Sequence, residues 1–175
     1  MARRQLLTSI LVGIAVVATA CSSTSGTDVA TSTPSQEREI APIFSVETSD
    51  GGDFSLAEHI ASDGRPIFLN LWASWCFPCR EEMPAIDQSS RAFPGVAFVG
   101  VSVQDSKTDA EDFAKEIGVT YLIGFDDEND VDDAYKPLGL PASYIISGDG
   151  VIVERIFGKV TEEDLAAKFA AHFDL

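Results

Sequence analysis

The sequence predicts a mixed α/β sandwich, in which a β-sheet lies between helices. Two short apolar runs with many β-branched and aromatic residues, 67–72 and 96–103, are each followed by a segment with helical features. Two further apolar runs, 142–146 and 151–156, flank the turn residues Gly148-Asp149-Gly150, which is typical of an antiparallel hairpin. Strands that alternate with helices and end in a hairpin favour one sheet with both parallel and antiparallel pairs.

Each element is predicted from a local pattern. Apolar β-prone runs bounded by turn residues indicate strands, and apolar residues spaced three or four apart after an N-cap indicate helices. In chain order, the patterns give a hairpin of residues 43–46 and 53–56, a helical turn at 56–60, a strand at 67–72, a helix from Cys79 to about Ser90, a strand at 96–103, a helix at 109–117, a strand at 120–123, a short helix at 130–135, strands at 142–146 and 151–156, and a helix after Thr161. Pro84 is expected to kink the first long helix.

The first twenty residues have the pattern of an export signal. Arg3 and Arg4 precede an apolar run that ends in small residues before Cys21. The run is short for a membrane-spanning helix, which needs roughly twenty apolar residues. Small residues directly before a cysteine resemble a bacterial lipobox, although Ala18 stands where that pattern prefers leucine. The prediction is a signal peptide at 1–20 and a lipidated Cys21, with a soluble secreted protein or an uncleaved anchor as the alternatives.

A polar segment separates this signal from the folded region. Residues 22–39 are mostly Ser, Thr, Gly, Pro, Gln and charged residues, which bury too little apolar surface to offset the entropy of ordering. We therefore expect residues 21–39 to be the lipidated cysteine with a flexible tether. Residues 40–175 are enough for one domain with its own core.

The chain is strongly acidic, with a formal net charge of −16. This charge argues against nucleic acid and anionic lipid surfaces as partners. Contact with a membrane is therefore expected only through the N-terminal lipid.

The most informative stretch is a Cys-x-x-Cys motif, Trp75-Cys76-Phe77-Pro78-Cys79-Arg80. It lies between a predicted buried strand and a predicted helix, and Pro78 occupies a position where a missing N–H costs little. The unpaired N–H groups and the positive end of the helix dipole favour a thiolate on the first cysteine. Cys76 is therefore the candidate nucleophile, and Cys79, one turn further on, is the candidate resolving thiol.

Two other interpretations of the cysteine pair are weighed against redox chemistry. A zinc site needs four ligands, and the chain offers only Cys21, Cys76, Cys79, His59 and His172, without a second paired motif. A structural disulfide between residues three apart closes a very small loop and adds little stability. Redox chemistry is favoured, and no metal or cofactor is expected.

Two sequence blocks resemble a known family, the TlpA/ResA/CcmG-like extracytoplasmic thiol–disulfide oxidoreductases of the thioredoxin fold. The first block is Phe68-Leu69-Asn70-Leu71-Trp72-Ala73-Ser74-Trp75-Cys76-Phe77-Pro78-Cys79-Arg80-Glu81-Glu82-Met83-Pro84, and the second is Gly139-Leu140-Pro141-Ala142-Ser143-Tyr144-Ile145-Ile146 with Asp149-Gly150 following. The likeness extends over roughly residues 40–175. It implies a thioredoxin fold, a mixed sheet sandwiched by helices, with an added N-terminal hairpin.

The resemblance also implies roles for individual residues. Pro141 would be a cis-proline facing the cysteine pair, so that Leu140 offers its backbone to an incoming chain as a strand edge; the alternative is a trans-proline that opens a strand. Trp72 and Trp75 would pack beside the disulfide, with Trp72 alternatively a plain core residue. Glu82 matches a buried glutamate of the ResA-like branch and would take the Cys79 proton or shift the thiol pKa values. The alternative for Glu82 is a solvated helix residue.

Two positions depart from other thioredoxin-fold proteins. Asn70 stands where cytoplasmic thioredoxins carry a buried carboxylate, and an amide does not accept the thiol proton. Phe77 brings no charge between the cysteines but adds apolar surface to the docking face. Thiolate stabilisation is therefore expected mostly from the helix end, with a midrange reduction potential.

The predicted function is disulfide exchange with exported proteins that carry cysteine pairs or disulfides, at the outer face of the bacterial cytoplasmic membrane. The resemblance favours a reductase, with cytochrome c maturation as one setting, that draws electrons from a membrane redox partner. The alternative is an oxidant that forms disulfides in secreted proteins. A peroxidase of the same fold is disfavoured, because residues 73–76 lack its proline-led loop. A copper-delivery protein is disfavoured by the cysteine spacing and by the positions of both histidines.

Overall fold

The computed structural model describes residues 38–173. The predicted signal peptide, Cys21 and most of the predicted tether lie outside these residues, so those predictions are not tested. Within residues 38–173, no helix is both long enough and apolar enough to span a bilayer.

The described residues form seven strands and five helices, numbered in chain order. Their bounds are β1 Ser45–Thr48, β2 Asp53–Ser55, α1 Leu56–Ser62, β3 Ile67–Trp72, α2 Phe77–Ala92, β4 Ala97–Ser102, α3 Lys107–Ile117, β5 Leu122–Phe125, α4 Asp130–Tyr135, β6 Ala142–Ile146, β7 Ile152–Phe157 and α5 Glu162–His172.

The strands form one mixed sheet in the order β2-β1-β5-β4-β3-β6-β7. The central strand β3 is parallel to β4 and antiparallel to β6. All six residues of β3 are buried, as expected for a strand with neighbours on both sides and helices on both faces. The first helix after β3 therefore starts at the same sheet edge at which β4 ends and β6 begins.

Side chains of β3 alternate between two apolar cores. Phe68 and Trp72 belong to the core that contains residues of α2, α3 and α5, together with both cysteines. Leu69 and Leu71 belong to the opposite core, which contains residues of α1, α4 and β1. The structure is thus a sheet between two helical layers, which confirms the predicted mixed α/β sandwich.

Most of the predicted boundaries shift by one or two residues, and the shifts at α2 and β5 have an identifiable cause. Helix α2 begins at Phe77 rather than Cys79, since Cys76 is its N-cap and Pro78 already lies in the first turn. The helix runs through Pro84 to Ala92; the kink expected there stays a prediction. Strand β5 begins at Leu122 rather than Thr120, because the Thr120 backbone N–H and hydroxyl both donate to Asp87 of α2, at 2.6 and 2.8 Å.

Candidate active site

Cys76 and Cys79 form a disulfide at the start of α2. Cys76 caps the helix with an extended backbone, and its Sγ accepts a hydrogen bond from the Cys79 backbone N–H at 3.2 Å. The first Cys therefore lies where the unpaired N–H groups and the helix dipole favour a negative charge. This placement agrees with the chemistry predicted for the motif, a thiolate on Cys76.

The two sulfur-bearing residues differ in accessibility. Cys79 is fully buried, whereas Cys76 retains 4% of its surface. Phe77, between them, is 68% exposed, as expected for a residue on a docking face. Cys76 is therefore the more accessible of the two, as a nucleophile must be, and the roles of nucleophile and resolving thiol stay predictions.

The two tryptophans occupy different environments. Trp72 is fully buried in the same apolar core as both cysteines, and its ring stacks on Phe113 with centroids 5.5 Å apart. Trp75 is 61% exposed, and its indole N–H donates to the Gln104 carbonyl at 3.0 Å. Trp72 is thus a core residue on the cysteine side of the sheet, and Trp75 forms part of the outer surface beside the motif.

Asp105 holds the turn between β3 and α2, a contact that the motif did not predict. The Ser74 backbone N–H donates to Asp105 Oδ2 at 2.5 Å, and the Ser74 hydroxyl donates to Oδ1 at 2.9 Å. The order of the elements could have indicated this contact. Because β3 and β4 are parallel, the residues that follow the two strands meet at one edge of the sheet.

Pro141 lies at the same edge, directly before β6. The register pairs Ala142 with Leu71 of β3, and the Leu140–Pro141 peptide bond is cis. The Pro141 carbonyl accepts a hydrogen bond from the Gly158 N–H at 3.0 Å, while Leu140 packs against the core that contains both cysteines. The structure therefore brings the second sequence block to the motif, with the cis bond that the resemblance implied.

Glu82 is buried on α2, one turn after Cys79. Its exposed fraction is 1%, so the alternative of a solvated helix residue is wrong. Its Oε1 accepts a hydrogen bond from Asn70 Nδ2 at 2.8 Å, and its Oε2 accepts one from the Val160 backbone N–H at 3.0 Å. The near absence of water favours the protonated carboxyl group, whereas the two donors favour the carboxylate.

Burial decides the ionisation of Glu82. Desolvation raises the pKa of the carboxyl group from its ordinary value of 4.5 to about 7, and it outweighs the two hydrogen bonds and the charge of Lys159, which lower it. A pKa near neutrality allows the group to accept or release a proton with little driving force at physiological pH.

Asn70 joins Glu82 to the Pro141 strand. Its Nδ2 donates both to Glu82 Oε1 and to the Ser143 hydroxyl, the second at 3.0 Å. Its Oδ1 is buried and has no hydrogen-bond partner among residues 38–173. The sequence placed Asn70 at the position of a buried acid; the structure shows instead that it is the donor to an acid supplied by α2.

The two histidines lie on other parts of the molecule. His59 is on α1, where its Nε2 lies 2.9 Å from the Arg65 carbonyl, and His172 ends α5, where its Nε2 lies 2.8 Å from Glu154. Within residues 38–173, no group of three or more His, Cys, Asp or Glu side chains is arranged to hold a metal ion.

The sequence matches the AhpC/TSA family over residues 38–155. It is 34% identical over 124 residues to the thiol-disulfide oxidoreductase ResA of Bacillus subtilis (strain 168), covering 70% of this chain and 68% of ResA. A thiol:disulfide interchange protein of the thioredoxin family from Chlorobium tepidum TLS superposes with a TM-score of 0.68 at 27% identity, covering 77% of this chain and 95% of that one. StoA from Bacillus subtilis superposes with a TM-score of 0.63 at 28% identity, covering 73% of this chain and 96% of StoA. These likenesses confirm the predicted thioredoxin fold.

Proposed function

Because this chain belongs to the AhpC/TSA family and is a TlpA/ResA/CcmG-like member of it, we propose that it is a thiol–disulfide oxidoreductase acting on exported proteins. The observation that carries the proposal is the Cys76–Cys79 disulfide at the start of α2, with one cysteine reachable and the other buried. A buried proton acceptor, Glu82, lies one turn beyond the second cysteine.

The proposed reaction transfers two electrons between dithiols and disulfides. In the reducing direction, the Cys76 thiolate attacks one sulfur of a substrate disulfide, forms a mixed disulfide and releases the other sulfur as a thiolate, which takes a proton. Cys79 then gives its proton to Glu82 and attacks Cys76 Sγ. The Cys76–substrate bond breaks, the second substrate sulfur leaves as a thiolate and takes a proton from water, and the enzyme retains the Cys76–Cys79 disulfide.

The substrate edge would be the backbone beside Pro141. Leu140 and Pro141 lie directly before β6, beside the point where β3 leads into the motif, so an extended chain can pair there while its sulfur meets Cys76. Exposed Trp75 and Phe77 offer apolar contact on either side of the cysteine. Protein segments with accessible cysteines are the substrates that fit this arrangement.

We further propose that the protein works outside the cytoplasm, attached by lipid at Cys21 and facing the solvent beyond the membrane. The export pattern of residues 1–20 and the polar segment that follows it support this location. A lasting disulfide is also favoured in an oxidising compartment. A membrane redox partner would renew the active form of the cysteine pair.

The reduction potential of the cysteine pair separates the two directions. We expect a value near roughly −250 mV or lower, as for a reductase, whereas a value above roughly −180 mV would indicate an oxidant. The measurement is Trp72 and Trp75 fluorescence in glutathione or dithiothreitol buffers of known potential. If no two-electron transition appears, the assignment of a redox site is wrong.

Replacing Phe77 by histidine is expected to raise the reduction potential by roughly 30 mV, or about tenfold in the exchange equilibrium. Phe77 is exposed beside Cys76 at the start of α2, so a protonated imidazole there stabilises the thiolate of the reduced form. A Phe77→Leu variant, which keeps the position apolar, serves as the control and should retain the wild-type potential. Equal reduction potentials for the two variants would show that an imidazole at position 77 does not stabilise the Cys76 thiolate.

A further inference from the structure

Three consecutive residues between β7 and α5 each hold a different part of the site. The Gly158 N–H donates to the Pro141 carbonyl at 3.0 Å, and the Val160 N–H donates to Glu82 Oε2 at 3.0 Å. Between them, Lys159 Nζ lies 2.5 Å from Glu81 Oε2. Residues 158–160, which we name the clamp loop, therefore join the substrate edge to the buried carboxyl group.

A cavity of about 390 Å³ lies between the clamp loop, α2 and the start of α5. Its lining residues are Glu81, Glu82, Ala85, Lys159, Val160, Thr161, Glu162 and Glu163. On the sheet side, Glu82 is covered by Asn70 and by the apolar core that contains Cys79. The cavity is thus on the side of Glu82 that is nearest to solvent.

The charges around Glu82 are unevenly distributed. Asn70 and Ser143 on the sheet side are neutral, and Tyr121 there is a fully buried phenol with its pKa raised by burial. The cavity side carries the carboxylates of Glu81, Glu162 and Glu163 and one cation, Lys159. Because Lys159 and Glu81 are paired, each offsets the effect of the other on Glu82.

We propose that Lys159 is a positioning residue that adjusts the ionisation of Glu82 across this cavity, on top of the larger effect of burial. The proposal rests on the proposed function in one respect, the role of Glu82 as acceptor of the Cys79 proton. The clamp loop supplies the geometry: Val160 donates to the carboxylate, and the adjacent Lys159 is fixed to α2 by Glu81.

The proposal makes opposite predictions for the two members of the ion pair. Lys159→Gln removes the cation and is expected to raise the pKa of Glu82 by about 0.5 or more, because Glu81 then acts on it unopposed. Glu81→Gln frees the cation and is expected to lower the pKa by a similar amount. Lys159→Arg keeps the charge and should preserve the wild-type value.

The pKa is read directly from the carboxyl carbon of Glu82 by NMR titration of the oxidised full-length protein, with the signal assigned by its loss in Glu82→Gln. Lys159 and Glu81 are both exposed, so the variants should fold. The matched control is Lys107→Gln, which breaks the Lys107–Glu47 pair at 2.6 Å between α3 and β1 and should leave the pKa unchanged. Equal values in Lys159→Gln, Glu81→Gln and the control would overturn the proposal.

The same samples distinguish this proposal from the proposed function. The oxidised protein needs no exchange activity for the titration, so opposite shifts in the two variants support the role of Lys159 even if exchange fails. The cysteine pair could show a two-electron transition in glutathione buffers while the pKa of Glu82 is the same in both variants as in the wild type. That result would support disulfide exchange and refute the role of Lys159.

Discussion

A Cys79→Ala variant is expected to stop at the mixed disulfide, whereas Cys76→Ala is expected to lose exchange by about a thousandfold or more. The reason is geometric: Cys76 is the reachable sulfur at the helix N-cap, and Cys79 is buried behind it. Without Cys79 the first attack still occurs, but no internal thiol releases the substrate.

The measurement uses a defined substrate, oxidised glutathione, and mass spectrometry of the intact protein. Cys79→Ala should gain one glutathionyl group, and Cys76→Ala should gain none. Both variants are made with Cys21→Ser, so that the third cysteine of the chain does not react. An adduct on Cys76→Ala but not on Cys79→Ala would reverse the two roles.

The second large effect is a loss of stability as the pH rises toward neutrality, caused by Glu82. Its pKa is about 7 in the folded protein against an ordinary value of 4.5. Between these values the unfolded chain releases the proton while the folded protein keeps it, so folding becomes less favourable by about 1.4 kcal/mol per pH unit. The stabilisation that the protonated Glu82 gives to the folded protein is fully present below pH 4.5 and is lost above pH 7. The free energy of unfolding falls by about 3 kcal/mol in total across this range.

The experiment is chemical unfolding of the oxidised protein at several pH values, compared with Glu82→Gln. Carboxyl groups with lowered pKa values, such as Asp87 and Glu154, act with the opposite sign and at lower pH, and they are present in both proteins. The difference between wild type and variant therefore isolates Glu82. It should change across pH 4.5–7 and be constant above; a difference that does not vary with pH would show that the carboxyl group is not held protonated.

Much of the fold was predictable because its signals are local. The bounds of β3, α4 and β6 agree with the sequence prediction, since each is a run whose composition changes sharply at both ends. The start of β5 was not predictable in the same way. Thr120 has strand propensity, but Asp87 of α2 binds it, and that contact joins residues 33 apart in sequence.

In the candidate site, too, residues marked by local sequence were predictable and residues placed by distant contacts were not. The sequence alone identified Cys76, Cys79 and Pro141. The cysteines form a recognisable local motif, and Pro141 lies within a sequence block that resembles the family. Lys159 and Asp105 were missed, because nothing in their own neighbourhood marks them. Their partners lie 78 and 31 residues away, and only the pairing of strands brings them to the motif.

The buried amide of Asn70 has a consequence for how the site stores a proton. Both of its contacts are made through Nδ2, and Oδ1 has no partner among the described residues. A protonated Glu82 becomes a donor, and a half-turn of the amide exchanges the two atoms, so that Oδ1 receives the acid proton. The Ser143 hydroxyl also serves as donor or acceptor and reverses with it. A carboxylate at position 70 would match only the protonated acid, whereas the amide keeps the same two contacts in both charge states.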